Sequence, residues 1–233
     1  TYFGLPKEDA LLEERLIFGN YPSVVLNLEN AKESLSEIVD ETIDTHFGSG
    51  GRVNKKKNLT KLLQLLSFKI GTVMTYHDLG LQCDLDNETV ERYIELLEQA
   101  DVLIRLPSYS EGHRYELNKS YSFYFLDNGI RNALINNFNS CNLRDDLNNL
   151  WTNYLIAERI KWARLNEEKA AFYFWKTYTN QSLELVEVID DKMKAYKMDW
   201  QRKKKVRISK YFTECYPTAK TTIINRSNYW PFL

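Results

Sequence analysis

Two short segments carry residue types that could do hydrolytic chemistry, Ser182-Leu-Glu184 and Lys197-Met-Asp199. Both belong to runs that read as β-strands, and an Asp190-Asp191 turn joins them. Residues two apart on a strand share a face, and residues opposite one another on neighbouring strands are close. Glu184 is therefore expected beside Lys197 and Asp199. Two carboxylates and a lysine around one point could hold a divalent ion and position water for attack on a phosphodiester. The same trio also describes a cross-strand salt bridge, which any exposed hairpin can carry. On chemistry alone that plainer reading is preferred.

A second candidate is electrostatic. The stretch from residue 192 to 210 is strongly basic and includes Arg202-Lys203-Lys204-Lys205, with Arg207 and Lys210. Such a run is most often a solvated surface. Here Lys192, Lys194 and Lys197 precede it and Trp200 adjoins it, a combination that suits nucleic acid. If the chain contacts DNA, Lys203, Lys204, Lys205 and Arg207 are the residues expected to do so. The net charge of −1 argues against attraction to nucleic acid by the molecule as a whole.

Other chemistries find little support. Gly48-Ser-Gly-Gly51 lacks the Gly-Lys-Ser/Thr that lets a phosphate loop wrap its ligand, and no buried strand precedes it, so it reads as a connector. Cys83, Cys141 and Cys215 are too far apart for a Cys-x-x-Cys pair, and His46, His77 and His113 are equally scattered. No structural metal site is expected. Three cysteines without a disulfide framework suit free thiols in the cytoplasm. No run of eighteen apolar residues occurs, so no membrane span is expected. The chain opens at Thr1 in mid-pattern, as a fragment or processed form would.

The elements that must position these residues fall into three expected segments. Residues 1–50 read as helical, with one apolar stripe of Leu11, Leu12, Leu16 and Ile17, a second of Leu35, Ile38, Val39 and Ile43, and a break at Pro22. Residues 51–120 read as three helices and a hairpin. Leu59, Leu62, Leu63, Leu66 and Ile70 line the first helix, and Thr75 caps a short second one. Asp86 caps a third that buries Val90, Tyr93, Ile94 and Leu97. Residues 102–106 and 115–117 alternate as the hairpin's arms. This is the order of a winged helix-turn-helix. The third helix would read DNA, yet it offers Asn87, Glu88, Glu91, Arg92, Glu95 and Glu98. Four carboxylates against one arginine repel phosphates. Packing against a neighbouring domain or partner is the expected role.

Residues 121–233 read as a strand at 121–126, helices over 128–138 and 145–165, and strands near 171–175, 183–189 and 193–198. A helix near 209–215 and a strand at 221–224 follow. The expected class is α+β, the last segment being a mixed α/β domain.

Several motifs in one order carry a family resemblance. They are Gly19-Asn-Tyr-Pro22, Leu62-Leu-Gln-Leu-Leu66 with Ile70-Gly71, and Thr89-Val-Glu-Arg-Tyr93. Asp127-Asn-Gly-Ile-Arg-Asn-Ala133, Trp151 through Glu158-Arg159, Phe174-Trp-Lys-Thr177 and Asn225-Arg-Ser-Asn-Tyr229 continue the series. From Leu12 onward the chain resembles the C-terminal two-thirds of bacterial predicted AAA+ ATPases. There a winged helix precedes a restriction-endonuclease-like, PD-(D/E)xK domain. The resemblance implies that residues 1–50 are a lid-like remnant and that an AAA+ ATPase domain, the place for ATP and Mg²⁺, lies upstream. It implies no cofactor for this chain.

The departures from that pattern bear on activity. The family's first site strand reads Glu-x-Asp, where this chain has Ser182 and Glu184. Its second reads Glu-x-Lys, where this chain has Lys197 and Asp199, an inverted pair. Thr152 stands at the glutamate position of the family's Trp-Glu-Asn, while Glu158 remains and is expected to reach towards the trio. A metal site tuned to ångström-scale distances rarely survives such changes. The expected function is a non-catalytic module, regulatory or nucleic-acid-associated, whose catalytic set Glu184, Lys197, Asp199 and Glu158 is vestigial. The alternative is a metal-dependent DNA nuclease with a permuted site.

Overall fold

Amphipathic spacing and well-placed caps account for most of the helices. In the computed structural model, which describes residues 5–47, 53–117, 119–200 and 206–233, α1 (Leu5–Phe18) buries Leu12, Leu16 and Ile17 and leaves Leu11 at the surface. Gly19 ends it at φ +75°, and Pro22 opens α2 (Pro22–Val25). Next come α3 (Ala31–Phe47) and α4 (Val53–Phe68). The apolar face of α4 is buried at Leu59, Leu62, Leu63 and Leu66.

A three-stranded sheet follows from β1 (Val73–Met74), β2 (Leu103–Pro107) and β3 (Tyr121–Phe125), in the order β1-β3-β2 with antiparallel pairing. Between β1 and β2 lie α5 (Tyr76–Cys83) and α6 (Asn87–Gln99). Thr75 and Asp78 cap α5 reciprocally, the Asp78 amide donating to Thr75 Oγ1 at 3.1 Å and the Thr75 amide to Asp78 Oδ2 at 2.8 Å. Asp86 caps α6 by accepting from the Thr89 amide at 2.7 Å. Such caps satisfy amides that have no partner within the helix. Val90, Tyr93, Ile94 and Leu97 are buried.

The hairpin differs from its expected form. The partner of β2 is β3, with Leu103 opposite Phe125 and Leu106 opposite Ser122, and not residues 115–117. Phe123, Tyr124 and Phe125 bury almost all of their surface there, which Tyr115 and Leu117 do not. The boundary expected between residues 120 and 121 therefore falls between two paired strands. One hydrophobic cluster reaches from Leu12 through this sheet to Phe232.

A second sheet has the order β4-β5-β6-β7. It is built from β4 (Ala171–Lys176), β5 (Ser182–Ile189), β6 (Lys192–Met198) and β7 (Lys220–Ile224). The first three run antiparallel, and β7 lies parallel to β6. Asp190 and Asp191 both adopt positive φ, as a two-residue hairpin that matches the strand twist requires. Before this sheet come α7 (Asn128–Leu134) and α8 (Leu147–Leu165). The short α9 (Lys210–Cys215) precedes β7 and drives Phe212 into a separate cluster with Trp175, Leu183, Val186 and Ala195. The described residues form a mixed α+β fold with two sheets. None of its helices is long and apolar enough to cross a membrane among the described residues.

Candidate functional site

Register decides which charges meet on β5 and β6. Leu185 lies opposite Tyr196, so the next pair along is Glu184 with Lys197. The Lys197 ammonium is 2.6 Å from Glu184 Oε1 and donates to the Ser182 carbonyl at 3.0 Å and its hydroxyl at 3.2 Å. Glu184 Oε2 accepts the Met198 amide at 2.8 Å. Both carboxylate oxygens are thus engaged. Their charge is felt by wholly buried Tyr124, whose phenol is pushed up mainly by burial and further by Glu184.

The other two members of the expected set are held differently. Asp199 follows the end of β6, where its amide donates to the Ile224 carbonyl at 3.0 Å. Glu158 does not reach towards the trio. Its Oε1 accepts Asn20 Nδ2 at 3.1 Å and pairs with Lys161 at 2.8 Å, one turn along α8. Among the described residues no group of three or more His, Cys, Asp or Glu side chains could hold a metal ion. Arg207 is exposed ahead of α9. Lys203, Lys204 and Lys205 lie outside the described residues.

The polar residues that the strand pattern did not single out are those buried deepest. Glu187, fully buried on β5, takes Arg159 of α8 at 2.6 Å and the Tyr196 hydroxyl at 3.2 Å. Arg131 and Arg144 converge on Asp146 at 2.5 and 2.8 Å, and Asn132 donates to the carbonyls of Leu16 and Ile17. Asn153 pins β3 by bonding both the amide and the carbonyl of Phe125, at 2.7 and 2.8 Å.

The motif residues themselves meet in space. Asp127 caps α7 through the Gly129 amide at 2.7 Å and accepts the Asn20 amide at 2.7 Å. Burial raises its carboxyl above the usual aspartate range, against the pull of these amides and of Lys161. The contact requires glycine twice. A Cβ on Gly19 would stand 1.9 Å from Asp127 Oδ1, and one on Gly129 would stand 2.2 Å from the Phe18 carbonyl. Gly19-Asn-Tyr-Pro22, Asp127-Asn-Gly129 and Glu158 thus form one polar joint between α1, α7 and α8. The motifs signal the residues of this joint, though not that they meet.

A family model described as a domain of unknown function (DUF8612) matches residues 9–140, more than half of the chain. An uncharacterized protein of Haemophilus influenzae is 25% identical over 133 residues, covering 54% of this chain and 33% of the relative. The match therefore spans about a third of that relative's length. No solved structure matches the chain.

Proposed function

The chain belongs to the DUF8612 family, and from that premise we propose that it is a non-catalytic module combining a winged helix with a degenerate nuclease-like domain. Support for the winged helix comes from the order α4–β1–α5–α6–β2–β3, with the β2–β3 hairpin after the third helix. Support for the nuclease-like part comes from α8, three antiparallel strands, α9 and a last strand parallel to β6.

The observation that carries the reading is the Lys197–Glu184 contact at 2.6 Å. The ammonium stands on the strand where the resembled family supplies its glutamate. A cation there cancels charge that would attract Mg²⁺, and it uses an oxygen that a metal would need. Exposed Glu88, Glu91 and Glu95 on α6 favour protein packing over base reading by that helix. In this reading DNA would be met through Lys203, Lys204, Lys205 and Arg207. An AAA+ ATPase domain of the intact protein would supply ATP binding.

The direct test is cleavage of single- and double-stranded DNA with Mg²⁺ or Mn²⁺. No cutting is expected. Cutting that Glu184→Ala abolishes would overturn the reading and make the permuted trio a working metal site.

A further inference from the structure

We propose that residues 108–117 form a clasp that keeps the open edges of both sheets from pairing with a second copy of the chain. Whether the four-stranded sheet ever cut DNA has no bearing on this. β2 and β4 are each the outermost strand of their sheet, and an edge strand presents unpaired amides and carbonyls. β4 reads Ala-Phe-Tyr-Phe-Trp-Lys. Four consecutive aromatics, one charge and no proline or glycine make a sequence strongly disposed to pair with its own copy.

The segment that leaves β2 closes this edge. Ser108 is held at its neck by the Ser120 carbonyl at 3.1 Å and bridges to Phe174. The Tyr109 amide donates to the Phe174 carbonyl at 2.7 Å, and the Leu117 amide to the Lys176 carbonyl at 2.9 Å. The Tyr178 amide donates back to the Tyr115 carbonyl at 2.9 Å, and Glu116 bridges to Thr177. The opposite half of β4 looks across a cleft of about 300 Å³, lined by Ala170 and Phe172 on one side and residues 103–106 of β2 on the other. Ile160 and Ala163 of α8 also line this cleft, so the two edges stand close without pairing while the segment stays in place.

One buried side chain locks it. Glu116 is 3% exposed. Its Oε1 accepts Trp175 Nε1 at 2.7 Å and the Tyr216 hydroxyl, and its Oε2 accepts Ser110 Oγ at 2.9 Å and the Glu111 amide at 3.2 Å. These donors come from the segment itself, from β4 and from the end of α9. Removing the acceptor strands them together, and unpaired buried donors are costly. The rings of Tyr109 and His113 pack edge-on against Tyr216 and complete the closure. Once the clasp opens, β4 of a second copy can pair antiparallel with β4 of the first about a two-fold axis.

The experiment uses the full chain and Glu116→Ala, read by amide hydrogen exchange and by sedimentation. The amides of Tyr109, Leu117 and Tyr178 should exchange about tenfold faster or more, while those of β5 and β6 keep their protection. The variant should form a dimer whose fraction rises with concentration. Unchanged exchange at the three amides would remove Glu116 as the lock. Faster exchange in a chain that stays monomeric would show that the edge needs no guard. Should Glu116→Ala fail to fold, Tyr216→Phe removes one of the four bonds, and a smaller shift in both readouts decides the matter in the same way.

Discussion

Lys197 and Glu184 face one another across β5 and β6 with ammonium and carboxylate 2.6 Å apart, each side chain about one-fifth exposed. At that depth the pair is screened less than a surface ion pair and desolvated less than a buried one. Lys197→Met and Glu184→Gln should each cost about 1–2 kcal/mol. The double variant should cost about 1 kcal/mol less than their sum. Urea denaturation of the four proteins measures the coupling, and strict additivity would mean that the pair contributes nothing.

The same geometry makes a prediction about metal. Lys197→Glu with Asp199→Lys, and Ser182→Glu with Glu184→Asp, rebuild the pattern of the family that the chain resembles. The fourfold variant should gain thermal stability as Mn²⁺ is added, because a ligand that binds only the folded state stabilises it. The parent should not respond. An equal rise in both proteins would point to non-specific binding, and no rise in either would mean that the sheet lacks the space for a site.

The sequence makes local order legible and long-range contact much less so. The faces of α4 and α6 and their caps follow from apolar spacing and from Thr75 and Asp86, which act on residues three positions away. The Glu184–Lys197 contact is legible because a two-residue turn fixes the register between the strands. Which strand pairs with β2 is not, since residues 115–117 alternate in the same way as a strand. Glu116, between Tyr115 and Leu117, reads only as the polar position of that alternating arm. Its burial depends on Trp175 and Tyr216, 59 and 100 positions away. The joint of Asn20 with Asp127 spans 107 positions, and no periodicity reports such a contact.

Glu187 and Arg159 allow a test of buried charge. Arg159→Met leaves a fully buried carboxylate with the Tyr196 hydroxyl and Lys194 at 3.8 Å. It should destabilise the fold by about 3–5 kcal/mol. Arg159→Met combined with Glu187→Leu should recover a large part of that loss, since apolar replacement of a whole buried pair is often nearly neutral. A double variant less stable than Arg159→Met alone would show that the network does more than neutralise itself.

Acid stability should depend on Asp146. Burial works to raise its carboxyl, but the guanidinium groups of Arg144 and Arg131 outweigh burial and hold it below the usual aspartate range. A carboxyl lowered in the folded state adds stability above its unfolded pKa and loses it as pH falls through the folded value. The loss should set in below about pH 4. Asp127 acts in the opposite sense. Its carboxyl is raised, so its contribution is present at low pH and fades as pH rises through the raised value. Asp146→Asn should cost about 3 kcal/mol near neutrality and flatten the acid limb of a stability–pH curve. An acid limb as steep as the parent's would assign the acid sensitivity to another group.

Salt dependence separates the two surfaces that nucleic acid could meet, the basic run and α6. Arg207 is exposed, whereas α6 presents Glu88, Glu91 and Glu95 to solvent beside a single Arg92. A polyanion should therefore approach the basic run and avoid the helix. Each phosphate neutralised by the protein releases condensed counterions, so the slope of log affinity against log salt reports how many phosphates are engaged. Replacing Lys203, Lys204, Lys205 and Arg207 with alanine should flatten that slope by about one unit for each phosphate no longer neutralised. Replacing Glu88, Glu91 and Glu95 with glutamine should leave the slope as it was and at most raise affinity modestly. Fluorescence anisotropy with a labelled oligonucleotide, across a series of salt concentrations, measures both. A slope left unchanged by the alanine variants, together with a large rise in affinity when the α6 glutamates are neutralised, would move the nucleic-acid interface to that helix and favour the winged-helix mode of reading DNA.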